Sequence, residues 1–174
     1  MKCEQCKGET TTERRRHHYT ECGLDNVYLE NIEVRVCPAC GLFSPRIPRN
    51  NELHAVIGQA IALQPVPLSG REARFLRQHL GLKAKEWANY LRVNTSTLSR
   101  WESGEQTIGM QSEALMRLLY FHLLAEKEGR PLPERVAERI AAVVWSRAER
   151  RAVLVNPQMP VRYTYHTQAE LAAA

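Results

Sequence analysis

An α+β protein is predicted, strands first and helices after, and three observations carry that prediction. Ile32, Val34 and Val36 alternate with Glu33 and Arg35, the period of a half-buried strand. Leu53, Val56, Ile57, Ala60 and Ile61 recur instead at the i, i+3, i+4 spacing of a helix. From residue 69 onward, short helical stretches are punctuated by Gly81 and Gly104, residues suited to a left-handed helix end.

Composition bounds the function. The chain has 174 residues, 44% hydrophobic and 25% charged, which excludes disorder throughout. Its longest strictly apolar run, Ile140 to Trp145, falls far short of the roughly 20 residues a membrane helix needs. Met1 to Cys6 has no apolar core, so no secretory signal is expected and a reducing cytoplasm is the expected location. The five cysteines then serve as thiols rather than disulfides. Charge is uneven: residues 1–68 are neutral, 69–106 carry +3, 107–129 carry −1 and 130–174 carry +3. A basic excess confined to the later part of the chain suits an anionic partner such as nucleic acid.

The N-terminal element is built on two Cys-x-x-Cys pairs, Cys3/Cys6 and Cys37/Cys40. Two intervening residues let a tight turn aim both sulfurs at one point, and two such turns supply four thiolates for a tetrahedral Zn²⁺ ion. Gly8 and Gly41 follow the pairs, where the chain must reverse. The thirty residues between the pairs read as a hairpin, Thr10 to Tyr19 and Val27 to Val36 about a turn at Cys22 to Asn26. The hairpin brings the turns together as a zinc ribbon holding one structural ion per chain, since four thiolates leave no open coordination position. Cys22 lies in the turn and is not expected to ligate. His17 and His18, adjacent on a strand, point to opposite faces and cannot chelate one ion together. One helix follows over the Leu53 to Ile61 stripe, and Gln64-Pro65-Val66-Pro67 ends it.

Ser69-Gly70-Arg71-Glu72 is a capping box that opens the next helix, with Phe75, Leu76 and Leu80 inward and Arg71, Arg74 and Arg77 largely outward. A second helix spans Lys83 to about Leu91, and Asn94 caps a third over Thr95 to Glu102. Two helices this short, joined by about four residues, have helix-turn-helix spacing and need a shared core to persist. Leu80-Gly81-Leu82-Lys83-Ala84-Lys85-Glu86-Trp87-Ala88 and Thr97-Leu98-Ser99-Arg100-Trp101-Glu102-Ser103-Gly104 resemble the Xre/Cro-type helix-turn-helix family. Together with the upstream cysteine pairs, residues 1 to about 125 resemble the MqsA antitoxin group, a YgiT-type zinc finger joined to an Xre-type domain. The resemblance implies a homodimer that binds double-stranded operator DNA and represses its own operon, with a possible toxin held by the N-terminal module. Solitary regulators share this architecture, so a regulator without a toxin, or a mainly toxin-sequestering module, remains open. Lys83 and Ala84 stand where the family often has a hydroxyl cap and Gln, and Arg92 stands at the turn glycine.

Thr95, Ser96 and Arg100 share one helix face bordered by Thr97, and in a major groove Arg100 offers two donors to guanine O6 and N7. Lys83 and Lys85, with Arg92, suit phosphate. From Met110 to Lys127 a stripe of Leu115, Leu118, Leu119, His122 and Leu123, widened by Met116, Tyr120 and Phe121, is broad enough for core and dimer partner alike. Glu134 to Arg151 reads as a further amphipathic helix, and Val153 to Tyr165 has strand-like residues broken by Pro157 and Pro160.

The expected organisation is a zinc-ribbon domain with one helix at 1–63, a linker at 64–68, an all-α helix-turn-helix domain at 69–128 and a helical C-terminal extension and tail at 129–174. No nucleophile–base arrangement calls for an enzyme.

Overall fold

In the computed structural model, which describes residues 1–47, 50–129, 131, 134–141, 152–155 and 163–166, strands precede helices as an α+β arrangement. The order is β1 (Thr11–His18), β2 (Val27–Val36), β3 (Phe43–Arg46), α1 (Asn50–Leu63), α2 (Gly70–Leu80), α3 (Ala84–Leu91), α4 (Thr95–Ser103), α5 (Met110–Glu128), α6 (Val136–Ala141), β4 (Ala152–Val155) and β5 (Tyr163–His166). Two compact units form: residues 1–20, 25–56 and 151–174 in one, residues 21–24 and 57–150 in the other.

The first unit is a five-stranded sheet. β1 and β3 pair antiparallel with β2, β4 runs parallel to β2 through Val27↔Val153 and Leu29↔Val155, and β5 closes the far edge on β4. The β1–β2 register shifts between Arg15 and His17, where Asn31 takes a left-handed φ of 53°. An extra residue in one strand inverts the side-chain phase, and Asn tolerates that backbone better than most residues. Val27 and Leu29 before the bulge, and Ile32 and Val34 after it, are therefore all fully buried. Simple alternation predicts only the second pair. His18 stacks on Tyr28 at 4.5 Å while His17 tilts against Phe43 at 5.7 Å, so the adjacent histidines do diverge.

The second unit is helical. Ser69 and Glu72 form the expected capping box, and Gly81 and Gly104 end α2 and α4 in left-handed conformation. Gly70 has a further reason to be glycine: a Cβ there would lie 2.2 Å from the carbonyl oxygen of Trp101. The start of α2 thus abuts the end of α4 backbone to backbone. Gly58 on α1 likewise leaves room for the buried ring of Tyr120.

Residues 64–68 connect α1 to α2 but are not an exposed connection, since Gln64, Val66 and Leu68 are buried. Arg117, wholly inaccessible on α5, donates to the carbonyls of Ala62 at 2.9 Å, Gln64 at 3.0 Å and Val66 at 2.7 Å. It thereby satisfies orphan acceptors at the end of α1. Glu113 balances its charge at 2.7 Å and accepts the amide of Leu68 at 2.9 Å. Burial pushes the Glu113 carboxyl up, and its bonds to Arg117 and Leu68 pull it back. Glu72 is buried as well, accepting from Gln64 at 3.0 Å and from the Ser69 amide at 2.7 Å.

The inward face of α5 is Met116, Tyr120, Phe121 and Leu124 around the Glu113–Arg117 pair, whereas Leu115, Leu118 and His122 face out. Of the apolar face expected there, Met116, Tyr120 and Phe121 thus turn inward and Leu115 and Leu118 outward, and the i,i+4 pair of opposite charges gives the inner face a polar appearance in the sequence. Of the helix expected over Glu134 to Arg151, Val136–Ala141 is helical and residues 142–151 lie outside the described residues. The strand-like tail forms β4 and β5, and Pro157 and Pro160 lie outside the described residues.

Candidate functional site

The four cysteines of the two pairs converge. Their sulfurs all lie within 4.8 Å of one another, with Cys3 and Cys40 at 3.6 Å and Cys6 and Cys37 at 3.4 Å. A tetrahedral ion with metal–sulfur bonds of about 2.3 Å spaces its sulfurs about 3.8 Å apart, so the cluster fits a metal ion. Cys22, half-buried, is outside the cluster.

The two turns repeat one backbone design. Cys3 and Cys37 donate their amides to Gly8 and Leu42 at 2.7 and 2.9 Å, and accept from Lys7 and Gly41 at 3.1 and 2.8 Å. The left-handed residues are Lys7, φ 61°, and Gly41, φ 72°. In the first turn the reversal therefore falls one residue before the glycine. Gly8 serves instead to keep the cluster open, since a Cβ would sit 3.3 Å from the Cys6 sulfur.

Amides aimed at sulfur set the electrostatics. The backbone N–H groups of Cys6 and Gln5 push the Cys3 thiol down to about 6, and those of Cys40 and Ala39 push Cys37 down too. For Cys40 the amide of Leu42 pulls down, but burial and the neighbouring sulfurs outweigh it and push the thiol up to about 12. Cys6 is raised: the Gly8 amide pulls down, and the sulfur of Cys37, with burial, pushes up. Four thiols this close cannot all ionise unless a cation compensates them. A bound metal ion would supply that charge and crosslink the two turns.

The helical unit carries the second candidate surface. Thr95, Ser96 and Arg100 are exposed together on α4, Thr97 is half-buried beside them, and Leu98 and Trp101 face inward. Ser99, not singled out from the sequence, is exposed on the same face; its i+4 spacing from Thr95 is the signal for it. Lys83 precedes α3 as its N-terminal cap, with its amide donating to Glu86 at 2.7 Å, and Lys85 lies in the first turn. Both lysines are exposed. Arg92 ends α3 in left-handed conformation, φ 55° and ψ 40°, the backbone a glycine would adopt freely.

Among the described residues, Lys83, Lys85, Arg92 and Arg100 take no ion pair, whereas Arg74, exposed as expected, and Arg77, turned inward against expectation, both pair with Glu102. Arg77 is only 12% exposed. Arg71 and Arg74 are exposed as expected, and the periodicity missed only that a carboxylate at the end of α4 draws Arg77 in. Among the described residues no helix is long and apolar enough to cross a membrane.

Compared with protein-family profiles, with curated proteins and with solved structures, the chain finds no match in any of the three.

Proposed function

We propose that the chain is a sequence-specific DNA-binding transcriptional regulator, an antitoxin-like autorepressor that acts as a homodimer and holds one structural zinc ion per chain. The observation that carries this reading is the outer face of α4, where Thr95, Ser96, Ser99 and Arg100 stand exposed and Arg100 has no ion-pair partner among the described residues. With Lys83 and Lys85 at the start of α3, this is the division of labour of a helix-turn-helix: base-reading groups on one helix, phosphate-binding charge on the other. The motif resemblance to Xre/Cro-type domains supports the same assignment, and the resemblance to the MqsA group supports the antitoxin role. Zinc is the ion that suits four thiolates at ribbon spacing. Leu115 and Leu118 on the outer side of α5, 38% and 39% exposed, suit a second copy of the chain, as a two-fold operator requires.

The test is selection from duplexes with a randomised centre, followed by titration of the enriched sequence and a scrambled control at two salt concentrations. The reading requires enrichment of a two-fold sequence bound about a thousandfold or more tighter than the control. Equal binding of both duplexes, or none, contradicts it.

A further inference from the structure

We infer that Arg77 and Glu102 are positioning residues for the face of α4 that reads DNA; the inference rests on the function proposed above. Glu102 is the buried charged group of α4, 5% exposed, and lies two residues beyond Arg100. Both of its oxygens are engaged. Oε1 accepts Nε of Arg77 at 2.6 Å, and Oε2 accepts Nη2 of Arg77 at 2.7 Å and Nε of Arg74 at 3.2 Å. The remaining nitrogen of the Arg77 fork, Nη1, donates to the carbonyl of Leu82 at 2.9 Å.

That third bond gives the pair a meaning beyond packing. Leu82 immediately precedes Lys83, the cap from which α3 starts. One planar guanidinium therefore ties the last turn of α4 to the corner that launches α3. A bidentate fork fixes direction as well as distance. The opposite end of α4 has weaker local control, since Asn94 makes no side-chain capping bond. The relative placement of Arg100 and the α3 lysines is thus set largely at the Glu102 end, where Gly70 also meets the Trp101 carbonyl.

A purely structural ion pair predicts something different. A buried pair contributes little net stability relative to well-packed apolar side chains, and apolar replacement often keeps or raises stability. An apolar pair cannot hold the Leu82 carbonyl. Base readout needs close donor placement, while phosphate attraction tolerates displacement. Loss of the clamp should therefore reduce discrimination between sequences and leave non-specific binding unchanged.

Two variants of the full chain test this: Glu102→Gln, and the double variant Arg77→Met with Glu102→Leu. Affinities for the duplex selected by the unaltered chain and for its scrambled control are measured well below the unfolding midpoint, with helicity checked by circular dichroism. We expect both variants to lose about tenfold in the affinity ratio. The scrambled duplex should bind as before with the same salt slope, and the double variant should melt no earlier than the unaltered chain. A double variant that is stably folded and keeps the full ratio would overturn the positioning role. If Glu102→Gln fails to fold, the double variant decides alone. A ratio of one in the unaltered chain would remove the DNA reading itself, a separate failure.

Discussion

The strand-rich unit gathers four thiols at the end of its sheet, and the helical unit buries Arg117 with two glutamates at its centre. Both are concentrations of charge, but they are neutralised by different means. In the thiol cluster burial and the neighbouring sulfurs push Cys40 up to about 12. The Arg117 cluster is closed, with Glu113 opposite and carbonyls of residues 62, 64 and 66 around it. The comparison teaches that one unit presents a site that could take a metal ion from solution, whereas the other closes its charge with its own side chains and carbonyls. Each can therefore be broken without the reagent that breaks the other.

Removing the metal should have the largest effect, and only on the first unit. Structural zinc in small thiolate peptides supplies about 10–16 kcal/mol of apparent binding free energy at neutral pH. Cys37→Ser should cost the ion and unfold the sheet while helicity largely persists, and Cys22→Ser should retain one ion per chain. Elemental analysis beside circular dichroism reads both. Metal retained by the Cys37 variant, or lost by the Cys22 variant, would break the ligand assignment.

Opening the other cluster should cost less and leave the metal in place. Arg117→Ala strands the Glu113 carboxylate and the carbonyls around it, for a loss of about 3–5 kcal/mol. Urea unfolding measures the loss, and unchanged metal content shows that it is confined to the helical unit. A cost below about 1 kcal/mol would mean that residues 64–68 do not depend on Arg117.

The cysteine turns, the hairpin and helices α1 to α4 were legible because each is written locally, in spacing, capping residues and glycines. What was not legible depends on distant partners. The parallel pairing of Val153 and Val155 with Val27 and Leu29 joins residues more than a hundred positions apart, and no local pattern announces it. Arg77 has the spacing of a solvent-facing residue, and only the folded position of Glu102 turns it inward. The broad apolar face of α5 was legible, but not which of its residues turn inward, because Glu113 and Arg117 look like surface residues until they are seen to neutralise each other. At the metal site the ligands were plain from the sequence, but the left-handed Lys7 was hidden behind the neighbouring glycine.

A smaller effect should appear with pH. Burial holds the His54 imidazole below its ordinary value, with Nε2 2.9 Å from the hydroxyl of Tyr19. A histidine with a depressed folded-state value is neutral when folded, so the unfolded chain binds more protons. Its contribution to stability is present above its ordinary value of about 6.5 and is lost as pH falls through the folded value. The unfolding midpoint of the metal-loaded chain should fall between pH 7 and 5, and His54→Gln should flatten part of that slope. An unchanged slope in the variant would remove His54 from the account.

The outer face of α4 is tested most directly by comparing Arg100→Ala with Lys85→Ala on selected and scrambled duplexes at two salt concentrations. Arg100→Ala should cost about 1–3 kcal/mol on the selected sequence, relax preference at one base step and leave scrambled DNA nearly unaffected. Lys85→Ala should weaken both duplexes about equally and lower the salt slope by about one unit per chain. The opposite outcome, Arg100→Ala weakening both alike while Lys85→Ala affects only the selected sequence, would contradict the assignment of α4 as the reading helix.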